Sequence, residues 1–216
     1  MGEQHRKKSA GVIMAHPDDE TLWAGGTILV HPDWQWSIFT LCRGNDKDRA
    51  PKYFTALQQL HAHGQIADLD DGPEQIPLPD LVVQQTVLDL IDGQSFDLVI
   101  THGPYGEYSP SHRRHREVSA AVGALWQCGK LATEQLWFCA YDDAGGAHYP
   151  QAVHDVEMFL PLDQNIRAEK YRIIHDIYGF SPESWEANTT PGAEGFRCFT
   201  TPNDYAEWLQ RNEVQR

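Results

Sequence analysis

Gly11-Val12-Ile13-Met14-Ala15-His16-Pro17-Asp18-Asp19-Glu20, continued by Thr21-Leu22-Trp23-Ala24-Gly25-Gly26-Thr27-Ile28-Leu29, runs from an apolar stretch through a charged turn into a helix-like segment. The pattern predicts a strand near residues 11–15 and a helix near 20–30. In open α/β sheets such turns lie at the carboxyl ends of strands, where ligands bind, so polar side chains placed there face a crevice. His16 and Asp19 stand three apart across the bend and offer two of the three protein ligands of an open catalytic zinc site. Asp18 is left beside them, placed to take a proton from metal-bound water. The same residues also read as a plain helix start, with Asp18 or Asp19 as cap and the acids set against the helix dipole. A third ligand elsewhere has to decide between the two.

Downstream, helix and strand signals alternate. Residues 34–41 have the aromatic and β-branched content of a strand, and Pro51, Phe54, Leu57 and Leu60 give a helix with Gly64 as its stop. Residues 66–69 read as a short strand, 70–79 as an acidic surface loop, and Asp80 as the cap of a helix ending near Gly93. Residues 96–101 are a compact buried strand. Further on come a strand at 134–141, a late strand at 156–162, a helix from Asp163 to about 178, a strand-like 196–199 and a final helix at 204–211. This alternation argues for a parallel sheet with right-handed crossovers. Gly25-Gly26 inside the first helix is a costly choice unless something packs closely on that backbone.

The missing ligand source follows the strand at 96–101. Thr101-His102 opens a glycine- and proline-punctuated loop that ends in Ser111-His112-Arg113-Arg114-His115-Arg116. His112 and His115, three apart at the start of a helix, share one face and can look back over the sheet edge.

The composition narrows the function classes. The 216 residues suffice for one α/β-sized domain, and 41% hydrophobic with 22% charged residues is ordinary for a globular chain. Thirty-one acids against seventeen lysines and arginines give a formal charge of −14, which disfavours nucleic acid and anionic membranes as partners. No apolar run is long enough to span a bilayer. Four cysteines without a C-x-x-C pair read as thiols in a reducing compartment, and the first residues lack the apolar core of a secretory signal, so a cytoplasmic location is expected.

Taken together, these blocks resemble the PIG-L/LmbE-like deacetylases, zinc-dependent enzymes that remove the N-acetyl group from N-acetylglucosamine-type sugars. Residues 15–20 match the family's A-H-P-D-D-E, and Thr101-His102 followed by His112-x-x-His115-Arg116 matches its T-H and H-P-D-H-R. Block order agrees from about residue 10 to 180, including Arg49 before the second helix and Lys170 to His175 late in the chain.

The resemblance implies zinc, or another divalent transition metal, on His16, Asp19 and His115. It implies Asp18 as general base, His112 as protonated general acid and oxyanion stabiliser, and Arg49 near the sugar. His102 is a candidate for touching or orienting the ligand. Trp23, Trp137 or Trp185 could stack on a sugar ring. The expected fold is α/β, a Rossmann-like three-layer sandwich with a mostly parallel central sheet. Residues 1–9 would be loose, 10–180 the core and 181–216 a C-terminal extension of a single domain. A small amino-sugar substrate is expected, and relatives of this kind are often homo-oligomers. An amidase of thiol-sugar conjugates, or a metal-containing sugar-binding protein without turnover, is the alternative.

Three departures stand out. Arg113-Arg114 replaces the Pro-Asp of the second motif, which exchanges a carboxylate near His112 for a cation and disfavours the imidazolium. Lys52 stands where family members often carry Glu. The late H-x-S-Q reads His175-Asp176-Ile177-Tyr178.

Overall fold

A computed structural model of the chain describes residues 6–213. In chain order the first half forms β1 (Ser9–Met14), α1 (Asp19–Val30), β2 (Gln35–Cys42), α2 (Arg49–Gln59), β3 (His63–Leu69), α3 (Asp80–Ile91), the short β4 (Ser95–Phe96) and β5 (Leu98–Thr101). Then come α4 (Arg113–Gln127), β6 (Ala132–Thr133), β7 (Leu136–Cys139), β8 (Tyr141–Asp142), β9 (Gln151–Ala152) and β10 (Met158–Pro161). The chain closes with α5 (Gln164–Arg172), a π-helical turn (Ile173–Ile177), α6 (Trp185–Thr189), β11 (Ala193–Phe199) and α7 (Pro202–Glu213).

Seven strands make the central sheet in the order β10-β11-β7-β5-β1-β2-β3. The run from β3 to β7 is parallel throughout, and β11 lies antiparallel to both β7 and β10. The chain leaves β1 toward β2 on one side and later returns to β5 on the other. The carboxyl ends of β1 and β5 therefore flank the switch point where α/β folds bind ligands.

Successive strand residues feed opposite faces, as the two-residue strand period requires. Val12, Met14, Leu98 and Ile100 pack with Leu22, Trp23, Tyr53, Leu57 and Ile173. Ile13, Ala15 and Val99 pack with Val83, Val87, Val118, Val122 and Tyr205. Helices α1 and α2 with the π-helical turn thus cover one face and α3, α4 and α7 the other, giving the expected three-layer α/β sandwich. No described helix is long and apolar enough to cross a membrane. All four cysteines are free; Cys42 and Cys139 are buried and Cys128 is exposed.

The glycine pair in α1 meets the close packing it demands. A Cβ on Gly26 would lie 2.4 Å from Leu162 Cδ2 and 3.0 Å from Glu194 Oε1. Glu194 accepts from the backbone N–H groups of Gly26 and Thr27 at 2.7 Å each, from the Thr27 hydroxyl at 2.7 Å and from Lys170 Nζ at 2.6 Å. The side chains of Lys170 and Glu194 are both fully buried. The helix that carries the first motif is thus gripped from β11 and α5.

Three expectations are corrected. Helix α2 stops at Gln59 rather than Gly64, because His61 takes the left-handed conformation (φ 51°) that turns the chain. Gly64 lies inside β3, where a Cβ would come 2.2 Å from the Ile38 carbonyl oxygen. Residues 181–216 are no appendage, since β11 is built into the sheet. Of residues 1–9, expected to be loose, the first five lie outside the described residues. The others are tied down: Ser9 opens β1, the Lys8 carbonyl accepts from Gln35 N at 2.8 Å, and Arg6 pairs with Asp97.

Candidate active site

The turn after β1 does not use its acids as a plain helix cap. Asp18 occupies the N-cap position of α1 at φ 110°, ψ −29°, and its side chain makes no cap hydrogen bond. A non-glycine residue in this region costs energy and persists only where its surroundings enforce it. Here its N–H donates to Glu20 Oε2 at 3.1 Å, and buried Glu20 is held by the Thr21 hydroxyl (2.6 Å) and Tyr178 (2.7 Å). The Asp18 carboxylate is thereby freed from capping and turned to the pocket, where Arg49 Nη1 donates to Oδ2 at 3.0 Å.

His16, Asp19 and His115 converge at the switch point. His16 Nδ1 lies 3.1 Å from Asp19 Oδ2 and 3.3 Å from His115 Nε2, and His115 Nε2 lies 3.4 Å from Asp19 Oδ2. Ligand bonds of 2.0–2.1 Å at tetrahedral angles separate donor atoms by about 3.3 Å, so this triangle suits one face of a zinc tetrahedron. The donor set, two imidazoles and a carboxylate, also suits zinc and its borderline neighbours.

Each donor is oriented from behind. His115 Nδ1–H donates to Glu107 Oε2 at 2.7 Å, His16 Nε2–H donates to Asp71 Oδ1 at 3.2 Å, and Trp23 Nε1 donates to Asp19 Oδ1 at 3.1 Å. Such partners fix the tautomer that leaves the other nitrogen free to ligate. Burial works against a charge on His16, but hydrogen bonds with Asp19 and Asp71 outweigh it and raise its pKa to about 10.

The other expected site residues are distributed as follows. His112 is the N-cap of α4 and lines the pocket; its ring lies 4.5 Å from that of His16, and its Nδ1 has no hydrogen-bond partner among the described residues. His16, His112 and His115 each offer an atom within 4.8 Å of the others, so these three histidines could also hold an ion. Burial and the neighbouring His16 and His115 lower its pKa to about 4.

This direction was expected from Arg114, but the cause differs. Arg114 turns away into the protein and donates to the carbonyls of Asp70 and Ile76 at 2.6 and 2.9 Å. Burial raises the Asp18 carboxyl well above its usual range, with Asp19 adding to the effect and Arg49 opposing it. Arg49 also rests over the Phe180 ring at 4.4 Å.

His102 does not reach the pocket. It is fully buried, accepts from Ala15 N at 2.9 Å through Nε2, and donates from Nδ1 to Glu107 Oε1 at 3.1 Å. Its ring stacks on His115 at 3.9 Å. Its Nε2 accepts from a backbone N–H and lies 3.4 Å from Asp19 Oδ2, so His102 stands behind the site, where with Asp19 and His115 it forms a second group of atoms close enough to hold an ion.

The pocket is a cavity of about 210 Å³. Leu22, Trp23, Tyr108 and Trp185 contribute the apolar part of its lining, with Trp185 packed edge-on against Tyr108 at 4.8 Å. Trp137 packs instead on Phe196 within the sheet. Asp71, Glu107 and Tyr108 were missed by sequence reasoning. Asp71 was assigned to a surface loop, and Glu107 is marked only by following Thr101-His102 at short distance.

Comparison with known proteins places this geometry. Residues 11–126 match the family model described as PIG-L, GlcNAc-PI de-N-acetylase. An uncharacterised protein, L374, of Acanthamoeba polyphaga mimivirus is 22% identical over 134 residues, 55% of this chain; the match spans only 58% of that relative's length.

Among solved structures, N,N'-diacetylchitobiose deacetylase from Pyrococcus horikoshii superposes with a TM-score of 0.67 at 17% identity, covering 92% of this chain and 85% of its own. The 4-carboxy-2-hydroxymuconate hydratase GalB from Pseudomonas putida gives 0.63 at 17% identity, covering 88% and 95%. At these identities the likeness extends to the fold alone, and one fold hosts several chemistries. The family match, over more than half the chain and carrying the motif turn, β5 and α4, shows that this chain belongs to the PIG-L family.

Proposed function

We propose that the protein is a metal-dependent N-deacetylase acting on an N-acetylated amino sugar or glycoconjugate. The observation that carries this reading is the triangle of His16 Nδ1, Asp19 Oδ2 and His115 Nε2, with Asp18 beside it and a small cavity in front. A divalent ion on these three residues would supply Lewis acidity toward an amide carbonyl and acidify water.

The remaining steps belong to the chain. Asp18, with its proton affinity raised by burial, takes a proton from the attacking water and returns it to the amine as the C–N bond breaks, releasing acetate. Arg49 holds the Asp18 carboxylate in place. His112, on the pocket wall with its ring 4.5 Å from that of His16, donates a hydrogen bond to the developing oxyanion. A cavity of about 210 Å³ is smaller than the ~300 Å³ at the low end of ligand sites, so it takes one ring with its acetamido group and leaves the rest of a conjugate outside. Trp185 offers an aromatic face to that ring.

The test is acetate release from a panel of N-acetylglucosamine derivatives by metal-analysed protein. Release by the wild type and not by His115→Ala supports the reading. Full metal occupancy with no acetate from any derivative rejects it in favour of another acyl group or ligand binding without turnover.

A further inference from the structure

We propose that Asp71 is the positioning carboxylate of the metal site, and that buried Arg114 acts on the site by clamping the loop that delivers it. The inference rests on the metal reading above but concerns residues outside the motif's ligand and base positions.

Asp71 belongs to the acidic stretch between β3 and α3, where solvent exposure was expected. Its side chain is instead only 5% exposed and points into the site. Oδ1 accepts from His16 Nε2 at 3.2 Å and from Gln75 Nε2 at 2.9 Å, and lies 3.8 Å from His112 Nε2. Oδ2 is fixed by Arg43, through Nε at 2.8 Å and Nη2 at 2.6 Å. One carboxylate therefore borders both the metal-ligating and the oxyanion-facing imidazoles.

What holds the loop there is Arg114. Its side chain is 1% exposed and spans the base of the loop: Nε donates to the Asp70 carbonyl, Nη2 to the Ile76 carbonyl and to Asp70 Oδ2 (3.3 Å), and Nη1 to Glu117 at 2.5 Å. Glu117 in turn accepts from Leu78 N at 3.2 Å. Two residues one turn apart on α4 thus grip both ends of the segment that carries Asp71.

Arg114 and the inward placement of Asp71 form one arrangement: the arginine secures the loop whose carboxylate accepts from His16. A buried, geometrically complete guanidinium clamp is more than a lysine could provide, because its fork of donors reaches two carbonyls at once.

The test measures divalent-metal affinity of the full chain by chelator competition with zinc, alongside kcat and KM where acetate release is found. Removing an outer partner of a ligating histidine costs about 10–100-fold in metal affinity. Asp71→Ala is expected to weaken zinc binding by that range, and Asp71→Asn, which keeps an acceptor for His16 Nε2–H, by less. Arg114→Lys is expected to weaken zinc binding on its own and to add nothing in the Asp71→Ala background, which separates action through Asp71 from a general loss of packing. Equal zinc affinity in wild type and both Asp71 variants overturns the role of Asp71. Additive losses in the double variant overturn the clamp. Failure of the wild type to hold zinc or any other divalent ion overturns the metal reading itself, and this is read before any variant.

Discussion

Asp18 keeps its carboxylate in the pocket by holding its backbone at φ 110°, where glycine is at home and aspartate is not. Strain of this kind is worth about 1–3 kcal/mol. Asp18→Gly is therefore expected to raise the thermal midpoint while abolishing acetate release, and Asp18→Asn to retain fold and metal while turnover falls by about 10²–10⁴-fold. Calorimetry and single-turnover assays read the two effects separately; a glycine variant less stable than wild type would remove the strain argument.

His16 gives a second prediction. Its pKa in the folded chain is raised to about 10 from 6.5, so in the metal-free protein its contribution to stability is complete below 6.5 and is lost as the pH rises through about 10. A ligating nitrogen must shed that proton, so zinc affinity is expected to climb with pH across the neutral range, by up to about tenfold per unit. A flat dependence between pH 6.5 and 9 contradicts the assignment. At this scale the convergence of His16, Asp19 and His115 was legible, because they sit at fixed spacings in short motifs at neighbouring strand ends. Asp71 was not, because nothing in an acidic loop shows which carboxylate folds inward; that is settled by Arg114, more than forty positions later in the chain.

Among the elements, α1 depends on a partner far away in sequence. Glu194 of β11 takes two mid-helix N–H groups of α1 and neutralises Lys170 of α5, both side chains being fully buried. Breaking a buried pair by removing one charge costs about 3–5 kcal/mol. Glu194→Gln is expected to lose stability in that range and, because α1 begins at the motif turn, to weaken metal binding as well; denaturant titration with and without zinc measures both. The glycine pair announced a close approach in the sequence, but not the identity of what approaches. Helix α2 shows the converse limit. Its end was placed at Gly64 because glycine is the usual helix terminator, whereas His61 makes the turn and Gly64 serves a tight crossing of β3 against β2.

For the whole molecule, the alternation of helix and strand signals made the parallel half of the sheet readable in advance. The antiparallel half was readable only in part: strands at 156–162 and 196–199 were expected, but their place beyond β7 is set by tertiary contacts. A chain ending at residue 180 keeps every motif residue yet lacks β11. Such a truncation is expected to be aggregation-prone and to bind zinc far more weakly than the full chain, measured by sedimentation and metal analysis. A well-folded, zinc-replete fragment would show that the C-terminal strand is dispensable.

The position of β11 between β7 and β10 also sets a timetable for synthesis. Strand β7 leaves the ribosome about sixty residues before β11, roughly 3–12 s earlier at typical elongation rates of 5–20 residues per second. During that interval the nascent chain carries an open strand edge, the feature most prone to pairing with the wrong neighbour. Premature release within it would free a chain with every metal ligand present and its sheet unsealed.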